Sequence, residues 1–504
     1  PGACVRELRI RYDLTDNVTV GIQADIFDSH LRAGTTSEEY KEFYVDIPSW
    51  KREKVGAFVD AKNINDYLTR IRFDAYWQKT RKEMTNHVLV NPDGAPMKML
   101  MNSDADNRLT TLGTSLQTYW QLCYDHYLIT GYEFTQDKLK ATTNALMNSF
   151  FPFSNEETGD AGITSSNYTT DRFNKGKQNT HAIFASLESQ LPHDLVANYG
   201  ARYTYVSSEM TEAFASKNGY KKTITTTSRP PSTVTENYDN LDDGSAGKSG
   251  KNHNYRVVFN AGLTWTGIED WALRATWAQG FRAPLLQEKY ITNNMGSGSV
   301  YGNPNLKPET SNNFELGARY NHNSLNLDAT IFYSLAKDYI AQERIGGTKA
   351  SPIMQYFNAD KAKTLGFELA LSNTFFDHYT PYASVTLLRR KLESTDYSTY
   401  DTATPSLSAR YGLRTNHNVF GGTLVTDTYA RSQNATKSYN HSENETDRIA
   451  GFTTLNFGAG YRFGKNEMFS IDAEVINIFN QLYQYYNSTY EAGRSFNFKL
   501  TARY

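Results

Sequence analysis

The sequence has no run of about 18 apolar residues, so it holds no candidate transmembrane helix. Cysteine is nearly absent: Cys4 and Cys123 are the only two in 504 residues. They fit neither a metal spacing nor a disulfide framework, and a bridge would require their strands to lie together. Charge of one sign is lacking too, with 52 Lys and Arg against 54 Asp and Glu. No broad basic field suggests nucleic acid as a partner. No P-loop, nucleophile elbow or zinc motif is present, and no enzyme is expected. No repeat of fixed length appears, which counts against a propeller. No signal peptide stands at Pro1, and the start PGACVRELRIRYDL enters directly into strand-like sequence, as a piece of a longer precursor would.

Aromatics are abundant: 35 Tyr, 27 Phe and 6 Trp. They sit among Asn, Thr, Ser and Gly, so the mean hydropathy is only −0.61. Strict alternation organises them. Phe496, Phe498, Leu500, Ala502 and Tyr504 alternate with Asn497, Lys499, Thr501 and Arg503. Leu455, Phe457, Ala459, Tyr461 and Phe463 do the same, as do Phe259, Ala261, Leu263 and Trp265, and Leu325, Leu327, Ala329, Ile331 and Tyr333. A period of two places these sets on one face of a sheet. About 19 such segments can be counted, many long enough for a tilted strand to cross a bilayer.

Short turns are expected at Thr15–Asn17, near Asn63–Asn65, at Pro192–Asp194, and at 267–270, 321–324 and 463–468. Long polar segments lie between them, at roughly 33–52, 81–114, 136–180, 205–254, 281–310, 340–362, 394–405, 433–452 and 481–494. Short turns on one rim and long loops on the other is the layout of an outer-membrane barrel. The expected fold is therefore all-β, a transmembrane antiparallel β-barrel over residues 1–504. Apolar residues would face lipid, and Tyr-rich strand ends would form interfacial girdles. Segment 205–254 has almost no apolar residues and reads as a mobile loop. Asp239, Asp242 and Asp243 lie in it without the spacing of a calcium loop.

Specific motifs sharpen this reading. VINIFNQLYQYYNSTYEAGRSFNFKLTARY, Val475 to Tyr504, resembles the end of a TonB-dependent outer-membrane receptor. WAQGFRAPLLQEKY (Trp277 to Tyr290) and GNPNLKPETSNNFELGARY (Gly302 to Tyr320) resemble that family's FRAP and NPNL boxes. YFNADKAKTLGFELALS, Tyr356 to Ser372, and HAIFASLESQLPHDLVANYGARYTY, His181 to Tyr205, resemble two of its strand regions. The likeness covers the chain from about residue 115 and is weaker before it. Within the family, the boxes look most like the haem and haemoglobin receptors. The resemblance implies a barrel of the 22-stranded receptor type. Counted back from Tyr504, the first segment becomes the fourth strand, and 281–310 becomes the seventh extracellular loop. A plug domain, its TonB-binding box and about three strands would then lie outside this chain, leaving an unpaired sheet edge.

In the first box, Phe281, Arg282, Ala283 and Pro284, the proline has no N–H and should end the strand ladder. In the second, Asn303, Pro304, Asn305 and Leu306, followed by Lys307, Pro308 and Glu309, two prolines fix the backbone as it re-enters the sheet. Both boxes read as the base of a loop, and that loop could act as a flap over a ligand. Haem receptors of this type carry a histidine between the boxes. Here there is none from Phe281 to Asn303. The loop candidates for ligand contact are Tyr290, Asn293, Asn294, Met295 and Tyr301, since Tyr and Met also ligate haem. His87 and His441, with His30 and His253, fall on the extracellular side. His126, His193, His322, His378 and His417 fall near the short turns.

The resemblance implies import of an iron-containing ligand, with haem or haemoglobin-derived haem favoured and a ferric siderophore or other metal chelate as the alternative. A passive porin or an adhesive barrel is the reading from another class. The implied partners are the TonB complex, reached through the plug, host haem proteins such as haemoglobin, and outer-membrane lipid. No intrinsic cofactor is expected, and the haem or ferric chelate is cargo.

Overall fold

A computed structural model describes the chain except residues 1, 35–40, 92–96, 156, 243–248, 295–298, 348–351, 441–443, 487–488 and 504. Among the described residues its strands join one main sheet of 23 strands, antiparallel except where one short ribbon pairs in parallel. Four of these are ribbons within loops: Ser232–Asp242, Asn293–Asn294, Ser299–Tyr301 and Ser398–Thr399. The remaining 19 are the staves of a meander, each hydrogen-bonded to the next in chain order from Gly2–Thr15 to Ser495–Ala502. Among the described residues no helix is long and apolar enough to cross a membrane. The strands cross instead. Every backbone group in hydrocarbon must be paired, and a ladder does this along its whole length.

The expected short turns are present. Thr15 and Val18 close the first hairpin, Leu191 and Leu195 the one at Pro192–Asp194, and His322 and Leu325 the one at 321–324. Further tight turns join Cys123 to His126 and Val419 to Gly422. Left-handed backbone at Asn63, His193, Asp194, Asp270 and Asn323 lets these few residues reverse the chain. Cys4 and Cys123 are free and exposed. Cys4 pairs across from Asp28 in the first hairpin and Cys123 lies at a short turn beside His126, so their strands are far apart.

Alternation sorts the faces as the sequence indicated. Phe314 and Leu316 are exposed on one face of Glu309–His322, and their neighbours Ile331 and Tyr333 are exposed beside them. Opposite partners agree in sidedness across the wall: Trp77 with Leu112, Leu116 with Tyr132, and Tyr132 with Ile183. These outward apolar residues are stable only against lipid. The inward set is polar, with pairs such as Arg202–Glu133 at 2.6 Å and Arg274–Asp328 at 3.0 Å.

The long-loop rim differs from expectation. The described parts of the polar segments at 81–114 and 136–180, and most of those at 205–254, are not irregular loops. They continue the staves, giving strands of 30, 32 and 31 residues in His126–Asn155, Asp160–Leu191 and Leu195–Thr225. Even the apolar-poor segment reads as ordered ribbon at Ser232–Asp242, paired to Leu195–Thr225. The expectation of a mobile 205–254 loop is corrected for its described part. Asp239 lies on that ribbon, the side chain of Asp242 is not described, and Asp243 falls outside the described residues. Above the membrane both faces of a hairpin can meet water. Backbone ladder bonds then order a polar strand without an apolar side.

The sheet's outer strands, Gly2–Thr15 and Ser495–Ala502, each pair on one side, and no pairing joins them among the described residues.

Leu316, 61 % exposed and half-way along its strand, tests the lipid-facing assignment. Leu316→Arg should lower folding stability in vesicles by about 2–4 kcal/mol, while Leu316→Ile should leave it nearly unchanged. Denaturant titration of refolding, followed by the heat-modifiable gel shift, measures both.

Candidate functional site

The two boxes and the 356–372 segment meet at one place. The strand Trp271–Arg282 ends its ladder at Arg282, opposite Glu309, the first residue of Glu309–His322. Pro284, fully buried, follows where no further ladder bond can form. A short helix, Leu286–Tyr290, then turns inward.

Arg282 is the centre of the knot. Its Nε and one terminal nitrogen grip the two oxygens of Glu309 at 2.9 and 3.0 Å. The other terminal nitrogen donates to both oxygens of Glu288 on the helix at 2.9 Å. Only guanidinium has the planar fork that serves two carboxylates at once. These acids raise the arginine's pKa further, Glu309 foremost, so its charge is permanent. Each acid is also tied to backbone. Glu288 accepts the Leu285 N–H at 2.8 Å, and Glu309 accepts the Ile340 N–H at 2.6 Å.

The second box is held by asparagines. Asn303 donates from its side chain to the Tyr356 carbonyl at 2.9 Å and accepts the Asn305 N–H at 3.0 Å. Asn358, in the FNADK run, accepts the Lys307 N–H at 2.8 Å and donates to the carbonyls of Lys307 and Asp338. Asp338 is left-handed at φ 53°, and the ladder passes over it between the Lys337–Lys361 and Tyr339–Ala359 pairs. Leu306 is buried beneath the box, while Asn305 and Lys307 are exposed. At position 302 only glycine fits, since a Cβ there would lie 2.8 Å from the Lys289 carbonyl carbon and the Tyr290 nitrogen.

The helix docks on the inner wall. Leu286, Tyr290 and Ile291 form one apolar cluster with Leu139, Ala141 and Met210, and Leu109 and Ala213 border it. Leu109, Leu139, Gly176 and Met210 lie side by side across four strands. Gly176 leaves room in this row for Leu286, whose methyl would lie 3.3 Å from a Cβ there. The loop is thus folded into the upper lumen rather than standing over it.

The loop candidates take different places. Tyr290 is buried in the apolar cluster, and burial raises its pKa. Asn293 and Asn294 pair with Val300 and Ser299, and their side chains are not described. Tyr301 lies half-buried on a ribbon that runs parallel to Ile353–Gln355. Met295 and His441 fall outside the described residues. His87 shares the face of Phe73 and Trp77 on Leu68–Val90, which is the outer face of the wall. There it stacks on Tyr44 at 4.8 Å and meets Asn102 at 2.6 Å. Phe281 shares the face of Trp277, and Ala283 is half-buried at the turn. Pro304 is half-buried too.

Three features were not singled out from sequence. Lys289 is only 2 % exposed, and no ion pair reaches it among the described residues. Burial lowers its pKa. On the far inner wall, Arg410 and Arg431 stand directly opposite each other. Arg431 donates to the Tyr485 hydroxyl at 2.9 Å, Arg410 lies 3.9 Å over Tyr429, and a recess of about 210 Å³ opens between them and Phe452. Outside, Tyr132, His181, Tyr205 and His253 form a girdle, with hydroxyl–imidazole contacts of 2.8 and 2.7 Å. A groove of about 610 Å³ lies between outward Leu263, Trp277, Phe314 and Leu365, so it belongs to the lipid side. Among the described residues no cluster of His, Cys, Asp or Glu could hold a metal ion.

A family profile described as "TonB dependent receptor-like, beta-barrel" matches residues 8–478. This chain belongs to the TonB-dependent receptor family. It is a barrel of the bacterial outer membrane, and the family's members are transporters rather than enzymes. An iron-regulated outer membrane virulence protein of Vibrio cholerae is 28 % identical over 249 residues, covering 45 % of this chain and 36 % of that protein. A heme/hemopexin utilization protein C of Haemophilus influenzae is 30 % identical over 154 residues, 26 % of this chain and 21 % of that one. The matched parts span about a third or less of these curated relatives. The solved copper transporter OprC superposes with a TM-score of 0.70 at 17 % identity, covering 99 % of this chain and 71 % of that one. With orientation fixed by the receptor barrel, the short turns are periplasmic and the tall strands extracellular.

Arg282→Ala should free the receptor's loop base while leaving the barrel intact. Loss of two charge-assisted pairs, about 1.5–3 kcal/mol, should speed limited proteolysis within 283–308 by about ten-fold or more. Arg282→Lys should restore little of this, because an ammonium lacks the fork. An unchanged digestion rate with an unchanged gel shift would remove Arg282 as the fastener.

Proposed function

We propose that this chain is the barrel of an outer-membrane importer that captures an iron-bearing ligand at its extracellular mouth, and that the ligand is haem, taken free or from a host haem protein. The observation that carries the reading is the inward-folded segment between the two boxes. Its ends are clamped by Arg282 and Asn358, while the part between them docks Leu286, Tyr290 and Ile291 on the inner wall. A fixed base with a docked middle is what a ligand-gripping flap requires. The names of the matched relatives support the cargo: the Haemophilus protein is a heme/hemopexin utilization protein and the Vibrio protein is iron-regulated.

In this reading the extracellular wall binds, and a plug in the lumen gates. The plug, its TonB contact and about three further strands complete the barrel from outside this chain. A lumen of this width needs such a plug, because an open one would be a pore. TonB-relayed energy would remodel the plug and release the ligand inward.

A ferric siderophore is the second reading, and a specific observation favours it. No histidine lies between the boxes. Yet the inner wall offers paired guanidinium groups beside tyrosines at Arg410, Arg431, Tyr429 and Tyr485. Guanidinium groups beside aromatic faces suit an anionic chelate with aromatic donors such as a catecholate.

Haem titration of the intact receptor, followed in the Soret band, separates the two. A saturable spectrum with defined axial ligation, weakened by Tyr301→Phe or Met295→Leu, is the expected result. A flat titration, with haemoglobin also failing to bind and with Arg431→Gln weakening uptake of a ferric catecholate, would move the siderophore to the front.

A further inference from the structure

The outer face of the wall carries an arrangement that nothing in ligand import explains. Five adjacent strands place five cations directly opposite one another in a single row: Lys51 faces Arg81, Arg81 faces Arg108, Arg108 faces Lys140, and Lys140 faces Lys175. One step nearer the membrane runs a second row, in which Lys79 faces Thr110, Thr110 faces Lys138, and Lys138 faces Lys177. Directly opposed side chains have Cβ atoms about 5 Å apart, and like charges at that spacing repel.

The rows lie outside the barrel. Lys138 and Lys140 share the face of exposed Tyr132, while Leu139 and Ala141, alternating with them, are buried under the flap helix. Lys79 and Arg81 share the face of Trp77, and Arg108 and Thr110 share that of Leu112. The level is equally clear. On four of the strands the cations begin within a few residues of an outward apolar or aromatic side chain of the membrane band, Trp77, Leu112, Phe134 and His181, while Phe173 stands beyond them on the same face. This is the headgroup level of the outer leaflet.

The carboxylates nearby leave three of these cations uncovered. Asp106 binds Arg81 at 2.9 Å and Arg108 at 2.7 Å from the side away from the membrane, with Glu83 beside Arg81. The Arg81 hydrogen bonds, with those of Arg108, hold Asp106 down to about 2, so it is a permanent counter-charge. At the flanks Lys51 pairs with Asp28 at 3.6 Å, Lys175 with Glu212 at 2.7 Å and Lys177 with Glu209 at 3.1 Å. Glu53 stands opposite Lys79 in the ladder without closing an ion pair among the described residues. Lys79, Lys138 and Lys140 are all exposed and have no ion pair among the described residues, Lys140 resting only on the Phe173 ring at 5.5 Å. Of the three that close no ion pair, Lys138 and Lys140 stand one above the other on His126–Asn155, and Lys79 ends the second row two strands away, across Thr110.

We propose that Lys79, Lys138 and Lys140, flanked by Arg108 and Lys177, form a binding site for the phosphate groups of an outer-leaflet lipid headgroup. The anion supplies the counter-charge that the sheet itself withholds from these three. The acyl chains of the same lipid lie on the apolar band below, along Leu112, Leu116 and Tyr132. The girdle of Tyr132, His181 and Tyr205 marks the boundary between the two.

The test uses the intact receptor purified from outer membranes. Native mass spectrometry reads retained lipid, and thermal unfolding is read in detergent with added diphosphorylated lipid A, its dephosphorylated form, phosphatidylcholine or inorganic phosphate. The expected result is retention and a thermal shift with the diphosphorylated lipid alone. The triple variant Lys79→Gln, Lys138→Gln, Lys140→Gln should weaken binding by about a hundred-fold, as losing three cations at an anionic surface predicts. The triple arginine variant, which keeps the charges, should retain the lipid and guards against a mere folding defect. Equal retention by the glutamine variant, or an equal shift with dephosphorylated lipid, would overturn the site. An equal shift with inorganic phosphate would overturn lipid as its source.

Discussion

Inside hydrocarbon an unpaired backbone amide has nowhere to turn, and this chain answers with a ladder that never skips a neighbour. Nineteen staves pair strictly in chain order. That rule lets the composition be polar. Each strand needs apolar atoms on one side only, and the other side can carry Arg202, Glu133, Arg274 and Asp328. It also explains how the wall can rise beyond the membrane. Once the ladder is established it continues upward with Lys, Asp and Thr on both faces, because water then satisfies the side chains.

The site depends on the same economy of partners. Where the ladder stops at Arg282, its side chain takes over the work of the missing backbone bonds, joining two strand ends and the helix. Asn358 does likewise for the second box. The two motif boxes share this role. They are places where side chains replace a ladder, and this explains why proline, asparagine and a forked cation cluster there.

Much of this was legible in the sequence. The stave number, the short turns and the sidedness of Phe314, Leu316, Ile331 and Tyr333 follow from a period of two. The tall rim was not, because a polar strand wetted on both faces shows no apolar alternation. The extended hairpins therefore read as loops. Nor was the helix Leu286–Tyr290, whose five residues are too few for a periodic signal. The place of His87 could have been found: ten residues separate it from Trp77, an even number, so both point outward. The opposed cations could not, since register between distant strands is invisible along the chain.

The height of the wall has a consequence for encounter. At about 3.3 Å per residue, the 32-residue strand Asp160–Leu191 runs roughly 105 Å, and a tilt near 45° leaves about 75 Å of height against an apolar band of about 25 Å. On this side of the barrel the wall is therefore mostly a shaft outside the membrane. A molecule that crosses its rim no longer searches in three dimensions. It diffuses along a corridor, and each collision with the wall is more often followed by another collision than by escape. Residence in such a corridor lengthens with its depth even where every single contact is weak, so the reach of the strands is itself a contribution to capture.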